Sequence, residues 1–166
     1  DAIQRAAKLL VDADLVNIHC GNGAERAAAG EQVQQLAEHL GCAVTNTIRA
    51  RGIVSDEHPL CFHPTCLSRI MANSQADVVL AVGTRLGELN MWGRPPMWGD
   101  PQTQRLIQVD TEPTSIGLNR PVDVPLVGDA RLILSRLMDA VKELTPQREP
   151  HSKIAEFRSV QDDWQK

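Results

Sequence analysis

Two groups of residues are of a type and spacing that suits ligand chemistry. The first is Gly21-Asn22-Gly23-Ala24, set between an apolar run and a helical pattern. Glycines at a strand-to-helix turn let the backbone approach a phosphate closely, and the free amides of the helix start attract an anion. The same residues suit a tight turn with no ligand, and the sequence leaves both readings open. The second group follows later apolar runs: Thr84 and Arg85 after Gly83, then Asp110, then Asp129 and Ala130 after Gly128. If those runs are parallel strands, their carboxyl ends share one edge with Gly21, where open α/β sheets take their ligands. The Arg85 guanidinium suits a diphosphate, and the Asp110 carboxylate suits ribose hydroxyls. Asp129 directly precedes a helical run and is at least as well suited to capping it. Gly21, Gly23, Ala24, Thr84, Arg85, Asp110, Asp129 and Ala130 are the candidate cofactor contacts. No catalytic residue is assigned.

Three other chemistries fit poorly. A dinucleotide-binding unit wants Gly-x-Gly-x-x-Gly and an acid at the end of the second strand. Here Arg26 stands at the third glycine position and the second strand ends Thr45-Asn46-Thr47, which argues against NAD. His58, Cys61, His63 and Cys66 are close together, but their spacing fits no Cys-x-x-Cys zinc pattern and two prolines cross the segment. They read as a loop packing on neighbouring domains, and no metal site is assigned. No cysteine has an evident base partner to make it a nucleophile. Trp92 and Trp98, set among Gly93, Arg94, Pro95 and Pro96, read as an exposed apolar loop that either lines an active-site entrance or covers the sheet edge.

The elements that would hold these residues alternate. Ala2 to Val11 has helical apolar spacing, Leu15 to His19 is a short buried strand, and Ala24 to Leu40 is a second helix stopped by Gly41. Ala43 to Thr47 is a strand, Arg49 to Pro64 a loop, and Thr65 to Ser74 a helix. Val78 to Val82 is the strongest strand. Thr84 to Thr103, with three Pro, three Gly and two Trp, is a long loop of a kind that is usually functional or mobile. Arg105 to Asp110 is a fourth strand, and Pro113 to Asn119 one or two helical turns. Val124 to Val127 is a fifth strand, at an edge because Pro125 lacks an amide donor. Ala130 to Leu144 is a helix, and His151 to Lys166 a polar stub forming one loose helix. This alternation gives a Rossmann-like three-layer α/β/α sandwich with a mostly parallel sheet.

Composition agrees. The 166 residues suit one core. With 3% aromatics and no Tyr, that core must be aliphatic, as in parallel sheets under helices. A net charge of −4 argues against nucleic acid as a partner. The apolar runs fall far short of the roughly 20 residues of a membrane span, and no signal-peptide pattern opens the chain. Four cysteines are too few for a disulfide scaffold, so a reduced, cytoplasmic setting is expected. The start at Asp1, without an initiator Met, leads us to expect a segment of a longer protein.

The ordered series of motifs resembles the central domain of thiamine-diphosphate-dependent enzymes such as acetolactate synthase, glyoxylate carboligase, pyruvate oxidase and oxalyl-CoA decarboxylase. The resemblance is carried by Asn17 to Ala24, Leu36 to Val44, Arg51 to Leu60, Ala72 to Leu86, Leu106 to Pro113 and Val127 to Ala130. It covers residues 1–145, leaving 146–166 as a linker and the start of a segment leading to an absent C-terminal domain. It implies about six strands, one more than the pattern shows. It implies flanking pyrimidine- and diphosphate-binding domains that hold thiamine diphosphate and Mg²⁺ in a homodimer or homotetramer. Neither the activating glutamate nor the Gly-Asp-Gly metal motif stands here, so the isolated chain is expected to be inactive. The parent would form or break a carbon–carbon bond next to a carbonyl. Relatives bind FAD, ADP or nothing in this domain. Flavin-binding relatives carry acids and an Arg after the Gly-Thr-Arg segment, and Leu86 to Trp92 departs from that. The alternative is a free-standing module of the same fold that binds FAD or ADP.

Overall fold

A computed structural model describes all 166 residues. Six strands form one fully parallel sheet: β1 (Val16–Cys20), β2 (Ala43–Asn46), β3 (Cys61–Phe62), β4 (Val78–Val82), β5 (Arg105–Asp110) and β6 (Val124–Val127). The order is β3-β2-β1-β4-β5-β6, so the winding reverses between β1 and β4. Helices α1 (Ala2–Asp12), α3 (Gly30–Leu40) and α5 (Ala130–Leu144) pack together on one face. Helices α4 (Leu67–Gln75) and α6 (Lys153–Trp164) pack on the other. The expected three-layer sandwich is therefore what forms, and the sixth strand is β3.

Sequence explains most of these elements directly. Every side chain of β1 and β4 is buried, as central parallel strands covered on both faces require. Helix α1 starts at Asp1, whose carboxylate accepts from the Ile3 amide at 3.0 Å. Helix α3 stops at Gly41, which takes the left-handed conformation at φ 61°. Strand β6 is the edge, and Pro125 points outward there. One hydrophobic core runs through all six strands and all the helices, so the chain is a single folding unit.

Four expectations change. The helix read over Ala24 to Leu40 is two: a short α2 (Asn22–Arg26) and α3, separated where Ala28 turns left-handed at φ 52°. Ala29 is fully buried there, and a side chain on Gly30 would collide with the Ile53 carbonyl, so α3 starts on its own axis against that loop. The Arg49 to Pro64 loop contains a 3-10 turn at Ile48–Ala50 and ends in β3. The tryptophans part company. Trp92 is half exposed, but Trp98 is buried against His19 with ring centroids 4.9 Å apart, and its Nε1 donates to the Asn90 carbonyl at 2.8 Å. The C-terminal stub is a docked helix: Phe157 is fully buried against Phe62, and Gln161 accepts from the His63 amide at 2.7 Å. Helix α6 thereby covers edge strand β3, whose open backbone would otherwise invite pairing with another chain.

Candidate functional site

The carboxyl ends of β1 and β4 open into a cleft of about 760 Å³, at the place where reversed winding leaves a crevice in open sheets. Gly21 and Gly23 line it from the β1 side, and Gly83, Thr84 and Arg85 from the β4 side. Asp110 and Ser115 line it beyond β5, and Thr47 and Arg49 beyond β2. Ile48 and Leu89 are its only apolar side chains.

The glycines are required by the chain itself. A Cβ at Gly21 would lie 2.5 Å from the Gly83 oxygen, and one at Gly23 would lie 2.7 Å from the Gly83 Cα. The turns after β1 and β4 thus pack backbone to backbone. Their amides are also used: Gly21 donates to the Val82 carbonyl, Gly23 to the Gly83 carbonyl and Ala24 to the Gly21 carbonyl. These three amides are thus taken by carbonyls of the chain itself, and α2 is only five residues long. The glycines shape the cleft rather than grip its contents.

Charge in the cleft comes from side chains. Arg26, Arg49, Arg69 and Arg85 all line it, and none is within ion-pair distance of a carboxylate. Arg69 is half-buried, and that burial lowers its pKa. Its Nη1 donates to the Pro64 carbonyl at 2.9 Å and its Nη2 to Asn90 Oδ1 at 2.8 Å. Asn90 Oδ1 also faces His19 Nε2 at 3.1 Å. The His19 ring continues through Nδ1 to Thr45 Oγ1 at 2.8 Å, and Thr45 meets Asn17 and Asn73. His19 is fully buried; desolvation, with the Arg69 charge second, pulls its pKa down to about 3. At the opposite end, Asp110 accepts from the Glu112 amide at 2.9 Å and otherwise faces the cleft.

Of the eight sequence-derived residues, Gly21, Gly23, Thr84, Arg85 and Asp110 meet in this cleft, while Ala24, Asp129 and Ala130 do not line it. Ala24 and Ala130 are buried core residues. Asp129 caps α5 by accepting from the Leu132 amide at 3.0 Å, the role its place directly before a helical run suits. Arg26, Arg49, Arg69 and Asn90 were missed. Arg26 carried a signal, since it replaces the third glycine of a dinucleotide turn. Arg69 carried none, since it sits in an ordinary amphipathic helix.

The His58, Cys61, His63 and Cys66 side chains do not converge. His58 pairs with Glu38 at 2.9 Å, Cys61 faces the Val54 carbonyl at 3.8 Å, and His63 accepts from Thr65 Oγ1 at 2.9 Å. No group of three or more His, Cys, Asp or Glu side chains is arranged to hold a metal ion. All four thiols are buried, and burial pushes those of Cys42 and Cys61 up to about 12, which makes them inert.

A parallel sheet in this order, with a polar cleft at its switch point, defines a doubly wound α/β domain. Residues 3–137 match the family described as thiamine pyrophosphate enzyme, central domain, and the chain belongs to that family. It is 30% identical over 164 residues to the acetolactate synthase large subunit of Corynebacterium glutamicum, covering 93% of this chain and 25% of that protein. It is 34% identical over 144 residues to oxalyl-CoA decarboxylase of Escherichia coli, covering 87% and 24%. A solved structure of a thiamin diphosphate-dependent enzyme from Mycobacterium smegmatis shares the fold, with a TM-score of 0.64 and 24% identity over 89% of this chain and 29% of that one. The chain thus spans about a quarter of the curated relatives it matches. No helix is long and apolar enough to cross a membrane.

Proposed function

We propose that this domain is the central unit of a cytoplasmic, thiamine-diphosphate-dependent enzyme of the acetolactate synthase kind, and that its cleft holds an adenine nucleotide, ADP or FAD. The observation that carries the nucleotide reading is the set of four arginines, unpaired by any carboxylate, around a polar cleft at the switch point. Arg85 and its neighbours would hold a diphosphate by charge-assisted hydrogen bonds, and Asp110 would accept from ribose hydroxyls. With two apolar side chains in the lining, a flavin ring has little to stack on, so ADP is the better fit of the two.

Thiamine diphosphate supplies a carbanion that attacks or leaves a carbonyl carbon in enzymes that use it. The residues of this chain do not fit it as holders, because no acidic set is present for the cation that accompanies its diphosphate. No chemical step is therefore assigned here. Pyrimidine- and diphosphate-binding domains flanking this one in a homodimeric or homotetrameric parent would carry that cofactor with Mg²⁺. The central domain ties them together and offers a nucleotide site.

Adding thiamine diphosphate, Mg²⁺ and pyruvate to the isolated chain is expected to give no turnover, and turnover would refute the assignment. Calorimetric titration with ADP, FAD and NADH is expected to show ADP binding ahead of FAD and none for NADH. The gene around this segment separates the leading reading from a free-standing module: flanking sequence for the two other domains supports the first, and its absence the second.

A further inference from the structure

We propose that Asn90 is the positioning residue of the cleft, fixing Arg69 and its own amide as a donor-only floor for an oxyanion of the bound ligand. This rests on the reading of the cleft as a nucleotide site, and it names the side chains that would meet the anionic group.

The protons of this network can each be placed. A guanidinium only donates, so the Asn90 atom 2.8 Å from Arg69 Nη2 is the amide oxygen. That removes the usual ambiguity of an amide's orientation and sends Nδ2 the other way. The same oxygen lies 3.1 Å from His19 Nε2. An amide oxygen cannot donate, so Nε2 carries the proton. A neutral ring has a single N–H, so Nδ1 accepts, and its partner at 2.8 Å is the Thr45 hydroxyl. Thr45 Oγ1 in turn accepts from Asn17 Nδ2 at 2.9 Å, and the second Asn17 proton goes to Asn73 Oδ1 at 2.7 Å. One buried column, running from β1 and β2 to the long loop, therefore dictates which face of the Asn90 amide is the donor face.

That donor face is unused by the protein. Asn90 Nδ2 donates to no group of the chain, and Arg69 Nη1 and Nη2 each make only one of the two bonds they can donate, while both residues line the cleft. Open donors of this kind, with no carboxylate within ion-pair distance of Arg69, suit an acceptor-rich ligand group. Asn90 is also held by its backbone, donating to the Gly87 carbonyl at 2.9 Å and accepting from Trp98 Nε1 at 2.8 Å. The residues that follow, Met91 and Trp92, sit in the left-handed region at φ 48° and 51°. Such strained geometry persists only where its surroundings over-determine it, and it clusters at ligand sites.

Asn90→Asp separates positioning from mere support. The aspartate still accepts from Arg69 and His19, so the fold is retained. It replaces the Nδ2 donor by an oxygen and supplies the counter-charge that Arg69 now lacks. Calorimetric titration with inorganic pyrophosphate and with ADP is expected to show affinity falling by about 10- to 100-fold in Asn90→Asp, the range of one or two lost charge-assisted bonds. The urea midpoint should stay equal to or above that of the natural chain. Arg69→Met is expected to lose as much, with Arg69→Lys recovering part of it. Unchanged pyrophosphate affinity in Asn90→Asp or Arg69→Met, or no pyrophosphate binding by the natural chain, overturns the proposal. ADP binding that ignores both substitutions leaves the nucleotide reading standing and removes this one. Pyrophosphate binding that depends on them, without ADP or FAD binding, does the reverse.

Discussion

Gly23 donates its amide to the Gly83 carbonyl oxygen at 2.9 Å, and that bond joins the turn after β1 to the turn after β4 across the switch point. The two backbones touch because neither residue has a side chain. Gly83 is also left-handed, at φ 63°, and a Cβ on it would stand 2.5 Å from the Gly23 carbonyl carbon. Gly83→Ala therefore combines left-handed strain with overpacking and is expected to cost ~2–4 kcal/mol. Urea unfolding measures it. A loss near zero would mean that the two turns have room to separate.

His19 gives the fold an acid-sensitive element. Its folded pKa, about 3, lies below the ordinary 6.5, so the neutral ring is the form that the fold binds. The stabilisation this represents is fully present above pH 6.5 and is lost as pH falls toward 3, at up to about 1.4 kcal/mol per pH unit. His19→Asn removes the titrating group. Its stability deficit relative to the natural chain should be largest at pH 7 and shrink by pH 4. A deficit independent of pH, read from urea unfolding across that range, contradicts the buried neutral ring.

Helix α6 is held chiefly by Phe157, which is fully buried and meets Phe62 edge to face at 5.6 Å between centroids. Arg158 lies over the same Phe62 ring and donates to the carbonyls of His58, Pro59 and Cys61. Phe157→Ala is expected to cost ~3–5 kcal/mol. Light scattering should rise as well, because β3 then becomes an open edge. An unchanged thermal midpoint would show that α6 is dispensable to this unit.

Arg120 is buried without an acidic partner. It donates to the Gly93 carbonyl at 2.8 Å, to Gln104 Oε1 at 2.8 Å and to the Gln104 carbonyl at 3.0 Å, tying the two ends of the 93–104 loop together. Arg120→Met removes all three bonds, at a cost of ~2–4 kcal/mol. Faster amide hydrogen exchange over residues 93–104 is the expected signature. Unaltered exchange there would place the loop's anchor elsewhere.

Much of this architecture can be read from residues alone. Val78 to Val82 is an uninterrupted apolar run, and Ala130 to Leu144 carries its apolar residues at helical spacing behind a capping Asp129, so β4 and α5 fall where the pattern places them. Strand β3 is invisible for a physical reason: two residues between prolines and histidines have no period, and what makes them a strand is pairing with Val44 and Thr45. Helix α6 looks like a loose polar stub because only Ile154, Phe157 and Gln161 face inward. In the cleft, residues at strand ends were legible from topology, which explains Gly21, Thr84, Arg85 and Asp110. Arg69 and Asn90 were not, because their meeting is a contact 21 positions apart in sequence that no local pattern records.

We propose that the switch-point cleft, with its arginines and Asp110, takes a nucleotide diphosphate. Amide chemical-shift mapping of the ¹⁵N-labelled chain titrated with ADP tests this most directly. Saturable shifts are expected at Gly21, Gly83, Thr84, Arg85, Asn90 and Asp110, with α6 and the β6 edge unmoved. Saturable shifts confined to other surfaces, or none at millimolar ADP, would contradict it.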